Sequence, residues 1–192
     1  MKRIFLSAVV ISILCSSCEK DNEAFATEVN KQTNAVYQVK SVEANGYQIY
    51  QNIMNSFVYD YQQTHQENLL LFEQHVNQQM LNYEPAQTYK YESIDSKQLL
   101  VLKQTDASII EKLAYTQETK LAIYAILENS FKSNELAFIS NASERILVEN
   151  LLALHGNGND IWNGNKTIAF AYGAQYNLTL AILYAGAVEL SR

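Results

Sequence analysis

The sequence predicts an all-α, single-domain bundle of about six helices, with an apolar C-terminal helix at its centre. Three observations lead there. Apolar residues recur at the i, i+3, i+4, i+7 spacing of a helix that buries one face. Residues that cap helix N-termini stand just ahead of those stretches. Thr167 to Val188 then runs for 22 residues without a charge, as an element buried on all sides would.

Val36, Val39 and Val42 recur every three residues, whereas Val36-Tyr37-Gln38-Val39 also fits a strand; residues 28 to 44 are read as a weak helix. Asn45 followed by Gln48 marks a start, after which Tyr50, Ile53, Met54, Phe57, Val58 and Tyr61 form one apolar stripe. Thr64 and Glu67 have the spacing of a capping box, with Leu69, Phe72, Val76, Met80 and Tyr83 as the stripe behind them and Pro85 as the stop. A tyrosine-bearing connection, Ala86 to Ile94, leads to Asp95, which opens a short helix through Leu99, Leu100 and Leu102.

Asp106 caps the next helix. Its apolar face is Ile109, Ile110, Leu113, Leu121, Tyr124 and Leu127, with a bend near Thr116, where a polar patch of weaker helix formers intervenes. A helix is expected from Glu135, and Asn141 with Glu144 opens another through Ile146, Leu147, Leu151 and Leu154. It stops at His155-Gly156, where glycine can turn left-handed. The loop Gly156 to Asn165 is the glycine-rich segment, with Asp160 as a cap for the C-terminal run beyond it.

The run from Thr167 to Val188 admits three readings. Its length permits a membrane span, yet Gln175, Asn177 and Thr179 would lie at mid-membrane without partners. Every even position from Ile168 to Leu190 is apolar or glycine, the period of a strand. Against a strand stand six alanines and the absence of an Asn-Gly or Asp-Gly turn. The expectation is one central helix, packed through Ile168, Tyr172, Tyr176, Leu183 and Leu190 against the helix carrying Ile53 and Phe57.

The N-terminus carries an address. Lys2 and Arg3 precede an apolar run from Ile4 to Leu14, which is the layout of an export signal and too short to cross a bilayer. The junction Cys15-Ser16-Ser17-Cys18 resembles the lipobox of bacterial lipoproteins, with Cys15 where an aliphatic residue is usual. The resemblance implies that Cys18 is lipidated and becomes the new N-terminus. It places the signal over 1–17; the charged stretch after it, which has no apolar periodicity, reads as a lipidated tether over 18–27, ahead of a helical domain over 28–192. Glu19, where inner-membrane retention would favour Asp, implies the outer membrane. The cluster Glu19-Lys20-Asp21-Asn22-Glu23 resembles the export signal of some Gram-negative surface lipoproteins, so the domain faces the periplasm or the cell surface.

Loss of Lys2 and Arg3 with the signal reduces the 14 basic residues to 12 against 20 acidic, a mature net charge of −8. That disfavours nucleic acid and anionic lipid surfaces as partners. Both cysteines lie in the signal region, leaving no disulfide and no thiolate ligand beyond Cys18. His65, His75 and His155 stand in no metal or nucleophile pattern. No motif requires a cofactor or marks a catalytic residue. The loop after His155 lacks the spacing of a calcium loop.

One compositional feature stands out. Residues 41 to 89 hold no Lys or Arg, five acids and fifteen Asn or Gln, with seven tyrosines from Tyr47 to Tyr91. Rings offer flat apolar contact and amides offer paired donors and acceptors, so Tyr47, Tyr59, Tyr89 and Tyr91 are the candidate surface for a protein or glycan partner. The favoured expectation is a non-enzymatic binding lipoprotein held to the membrane through lipid on Cys18. The alternatives are an envelope enzyme whose site assembles only in the fold, around His155 and Asp160, and an immunity-type lipoprotein that protects against a toxin.

Overall fold

The first turn of a helix has amide groups with no partner inside it, so helices begin where a nearby side chain can accept from them. The computed structural model describes residues 45–84, 88–104, 106–156 and 160–192, all within one unit, Val39–Arg192, and shows a helical bundle with no strand among them. The signal, the tether with Cys18, the expected helix over 28–44 and Pro85 lie outside the described residues.

Helix α1, Gly46–Ser56, buries Ile49, Tyr50 and Ile53. Asn45 precedes it without a side-chain cap bond. The chain turns extended at Phe57, whose ring meets Phe72 edge-on with centroids 5.2 Å apart. The expected stripe therefore ends there: Val58 and Tyr61 are 82% and 92% exposed. They fall in a turn pinned by Asn68, which accepts from Asp60 N and donates to Asp60 O, both at 2.8 Å. Helix α2, His65–Met80, starts on the expected capping box, since Thr64 Oγ1 accepts from Glu67 N and the Glu67 carboxylate accepts from Thr64 N. It buries Phe72, Val76 and Met80. It ends ahead of Pro85, leaving Tyr83 exposed instead of on the stripe.

Helix α3, Ser96–Leu102, begins where Asp95 Oδ1 accepts from Lys97 N and Gln98 N, and it buries Leu99 and Leu102 while Leu100 faces outward. The expected bent helix beyond Asp106 is two helices, α4 Ser108–Lys112 and α5 Gln117–Leu127, because the backbone is extended at Leu113 and again at Thr116, which precedes α5 without a side-chain cap bond. Ile109, Ile110 and Leu113 are buried, whereas Leu121 is outward. The helix expected from Glu135 is only a 3-10 turn, Ser133–Phe138.

Helix α6, Ala142–His155, is capped by Asn141 as expected and closes at Gly156, whose φ of +65° is strained for any residue with a Cβ. Glu144, fully buried, accepts from Thr116 N and Thr116 Oγ1 and so ties the start of α5 to the start of α6. Helix α7, Ile161–Ala174, is capped by Asp160; it begins earlier than the expected loop allows, and Asn165 lies buried within it.

The largest correction concerns the uncharged run. It is two helices, α7 and α8 (Leu178–Leu190), that fold back on one another at Gln175-Tyr176-Asn177. Asn177 is extended, and its Oδ1 accepts from Leu180 N at 2.8 Å, so a new N-cap interrupts what composition reads as one helix. Tyr176 sits at the bend and is exposed. The arms of the α7–α8 hairpin pack on one another; α6 packs on α7, α2 on α8, α1 on both α6 and α8, and α3 against both arms. Residues Ala181 to Val188 of α8 are all buried. The run is thus central, as expected, while the bundle has eight α-helices and a 3-10 turn among the described residues instead of about six.

Candidate functional site

Leu69-Leu70-Leu71 span about 200° of a helix, so they cannot all face one core. On α2 the buried direction belongs to Phe72 and Val76, Leu69 stands half-buried beside it, and Leu70 remains 54% exposed. The connection to α3 is drawn across this flank by two side chains. Asn77, itself buried, uses every hydrogen-bonding valence: Nδ2 donates to Glu73 O and Glu92 O, and Oδ1 accepts from Tyr89 Oη at 2.6 Å and Glu92 N at 2.8 Å. Glu73 accepts from Ile94 N at 2.8 Å and from Tyr91 Oη at 3.1 Å. Ile94 is thereby held against α2, and α3 begins just beyond it.

Between them opens a groove of 410 Å³ lined by Gln66, Glu67, Leu69, Leu70, Glu73, Ile94, Ser96 and Leu99. Its floor is aliphatic and its polar edge carries two carboxylates. The hydrogen bonds from Thr64 N and Thr64 Oγ1 hold the Glu67 carboxyl below the usual carboxylate range, so it stays ionised. Neither Glu67 nor Glu73 has an ion pair among the described residues.

The four candidate tyrosines do not form one surface. Tyr89 and Tyr91 stand together beside the groove, but both hydroxyls are committed, to Asn77 and Glu73. Burial, followed by the negative charge of Glu84 and Glu92, pushes Tyr89 up to about 12, so it stays a neutral donor. Tyr59 is at the other end of α2, 3.4 Å from His65 Nδ1 through its hydroxyl and beside the Tyr61 ring. Tyr47 is on α1 facing α6, where its amide donates to Asn150 Oδ1 and its hydroxyl accepts from Gln51. Cys18 lies outside the described residues.

The histidines meet hydroxyls in ways that do not resemble a nucleophile and its base. Ser56 Oγ is 3.0 Å from His75 Nε2, yet its hydrogen is also aimed at Ile53 O at 3.0 Å. Ser191 Oγ, 3.1 Å from His65 Nε2, donates to Ala187 O at 2.7 Å. Thr167 Oγ1 donates to Asn163 O at 2.7 Å, so the hydrogen between it and His155 Nδ1, 3.2 Å away, sits on the ring. His155 Nε2 is then a buried lone pair with no partner among the described residues. Burial, then the nearby Lys166, lowers the His155 pKa. No bond joins His155 to Asp160: one Asp160 oxygen caps Trp162 N and the other pairs with Arg192 at 2.7 Å. Among the described residues no group of three or more His, Cys, Asp or Glu is placed to share a metal ion.

The groove was missed in the sequence because its polar members look like ordinary surface residues. The signal that points to it is the triple leucine, one residue too many for a single buried face. Among the described residues no helix is long and apolar enough to cross a membrane. No protein-family model, curated protein or solved structure matches the chain.

Proposed function

We propose that this protein is a lipoprotein of the outer membrane, anchored through Cys18, whose helical domain is a non-enzymatic binding module. The anchor rests on the Lys2-Arg3, apolar-run and Ser16-Ser17-Cys18 order of the N-terminus. The binding reading rests on one observation: Leu70 stays 54% exposed in the lining of an aliphatic groove beside which the Asn77 and Glu73 hydrogen bonds fix Glu92 and Ile94. Apolar side chains at the mouth of a rigid groove, beside fixed polar groups, suit a bound partner. The commitment of Asp160 to Arg192 and of Thr167 to Asn163 favours this over an enzyme built on His155 and Asp160. An immunity-type role is the same reading with a toxin as the bound protein.

The test is photocrosslinking in intact envelopes, with the crosslinker at Leu70 and, as a control, at the exposed Glu149 of α6. A discrete adduct from position 70 that is absent from position 149 is the expected result. Equal labelling from both positions overturns the binding reading.

A further inference from the structure

We propose, resting on the binding reading above, that the α2–α3 groove takes a short cationic amphipathic helix from a protein partner. The apolar lining, Leu69, Leu70, Ile94 and Leu99, is aliphatic, which matches the apolar side chains of a peptide better than the flat face of a sugar. Its carboxylates, Glu67 and Glu73, accept only from neutral groups, Thr64, Tyr91 and the Ile94 amide, so their negative charge is not cancelled within the described domain. Asp60, Glu92 and Asp95 lie on the segments that flank the groove, against Lys90 on the connection, Lys97 in the first turn of α3 and Lys103 at its end, so that with Glu67 and Glu73 five acids face three bases. No Lys or Arg occurs from residue 41 to 89. The field over the mouth is therefore negative, which attracts Lys and Arg and repels anionic lipid or a second copy of the same face.

The occupant's backbone follows from the same surroundings. No strand edge exists among the described residues to pair with an extended peptide, whose amides would go unpaired over the leucines. A helix satisfies its own backbone. Gln66 to Glu73 rises about 10 Å along α2, room for two turns of a helix laid alongside. That corresponds to two or three apolar anchors at i, i+3 or i+4, with basic residues outside them.

The full-length lipidated chain in phosphatidylcholine nanodiscs, with empty discs as the reference, would be titrated with a labelled 14-residue Leu/Lys amphipathic peptide and with its Leu/Glu counterpart. Binding by the Leu/Lys peptide alone is expected, weakened about tenfold by Leu70→Lys. It should also weaken in high salt. Leu70 is exposed, so Leu70→Lys leaves the melting temperature unchanged. Glu67→Gln, which keeps the capping pattern, reduces the salt dependence. Equal binding of both peptides, or Leu/Lys binding that Leu70→Lys does not weaken, overturns the proposal. If neither peptide binds while the position-70 envelope adduct persists, the cationic-helix assignment fails and the binding reading stands; if the adduct is absent too, both fail.

Discussion

The phenyl ring of Phe72 occupies the space that a Cβ on Gly186 would need. Met54 Sδ closes the same gap from α1, 2.9 Å from that position. Three helices, α1, α2 and α8, thus meet at a point where the smallest residue is required by contact and not by backbone conformation. Phe72 and the α8 stretch around Gly186 are buried, so the ring has no free volume to retreat into. Gly186→Ala overpacks this junction and should cost about 1–3 kcal/mol. For a domain of this size that is a fall in melting temperature of about 2–4 °C per kcal/mol. Circular dichroism melts check it, and an unchanged midpoint counts against the packing described.

Asn77 holds the connection between α2 and α3 with three hydrogen bonds. Asn77→Ala leaves the Tyr89 hydroxyl and the Glu92 amide and carbonyl without that partner in a partly buried setting, each worth about 1 kcal/mol or more. The expected readout is local as well as global: the Glu92 amide should exchange its hydrogen faster by at least about tenfold, while amides of α8 change only with overall stability. Uniform change across the domain would show that Asn77 does not act on this connection in particular.

His155 is neutral in the fold because burial lowers its pKa. An unfolded chain takes up the proton at about pH 6.5, before the folded chain does. The stability associated with neutral His155 is therefore complete above that pH and is lost as pH falls through the lowered folded value. His155→Gln removes this contribution, so the wild-type melting temperature should fall more steeply than the variant's as the pH drops below about 6.5. Parallel curves would remove His155 as the source.

The anchor has its own test. Cys18→Ala should abolish incorporation of labelled palmitate and release the chain from membranes in high salt, since acyl chains supply the attachment. Unchanged palmitate labelling in that variant would defeat the lipobox reading.

Asn177→Ala probes the bend that composition conceals. The Asn177 side chain caps α8 through Leu180 N and donates to Glu92 Oε1 at 3.0 Å. Losing a cap of this kind costs about 0.5–2 kcal/mol. The variant should lose stability while retaining its helical circular dichroism, because the burial of both arms, more than the cap, drives the hairpin. A gain in stability would indicate that a continuous helix is the better arrangement.

The features legible in the residues alone are local. The capping box of Thr64 and Glu67 and the caps at Asp95, Asn141 and Asp160 lie where their spacing places them, because a cap bond joins residues two or three apart and needs nothing from the rest of the chain. The all-helical class comes from the same short-range signals. Which apolar residues are covered is settled only when the helices pack. Leu183 is buried and Leu121 is not, although both look alike on their stripes, because coverage depends on elements far away in the chain. The reversal at Asn177 is of this kind too: in a run buried nearly all round, no polar face shows where one helix ends and its neighbour begins. The groove exists because α3 packs on α7 and α8 while Asn77 and Glu73 tie the connection ahead of it, residues 15 and 21 positions on, to α2. Neither Leu70 nor Ile94 carries any mark of it alone.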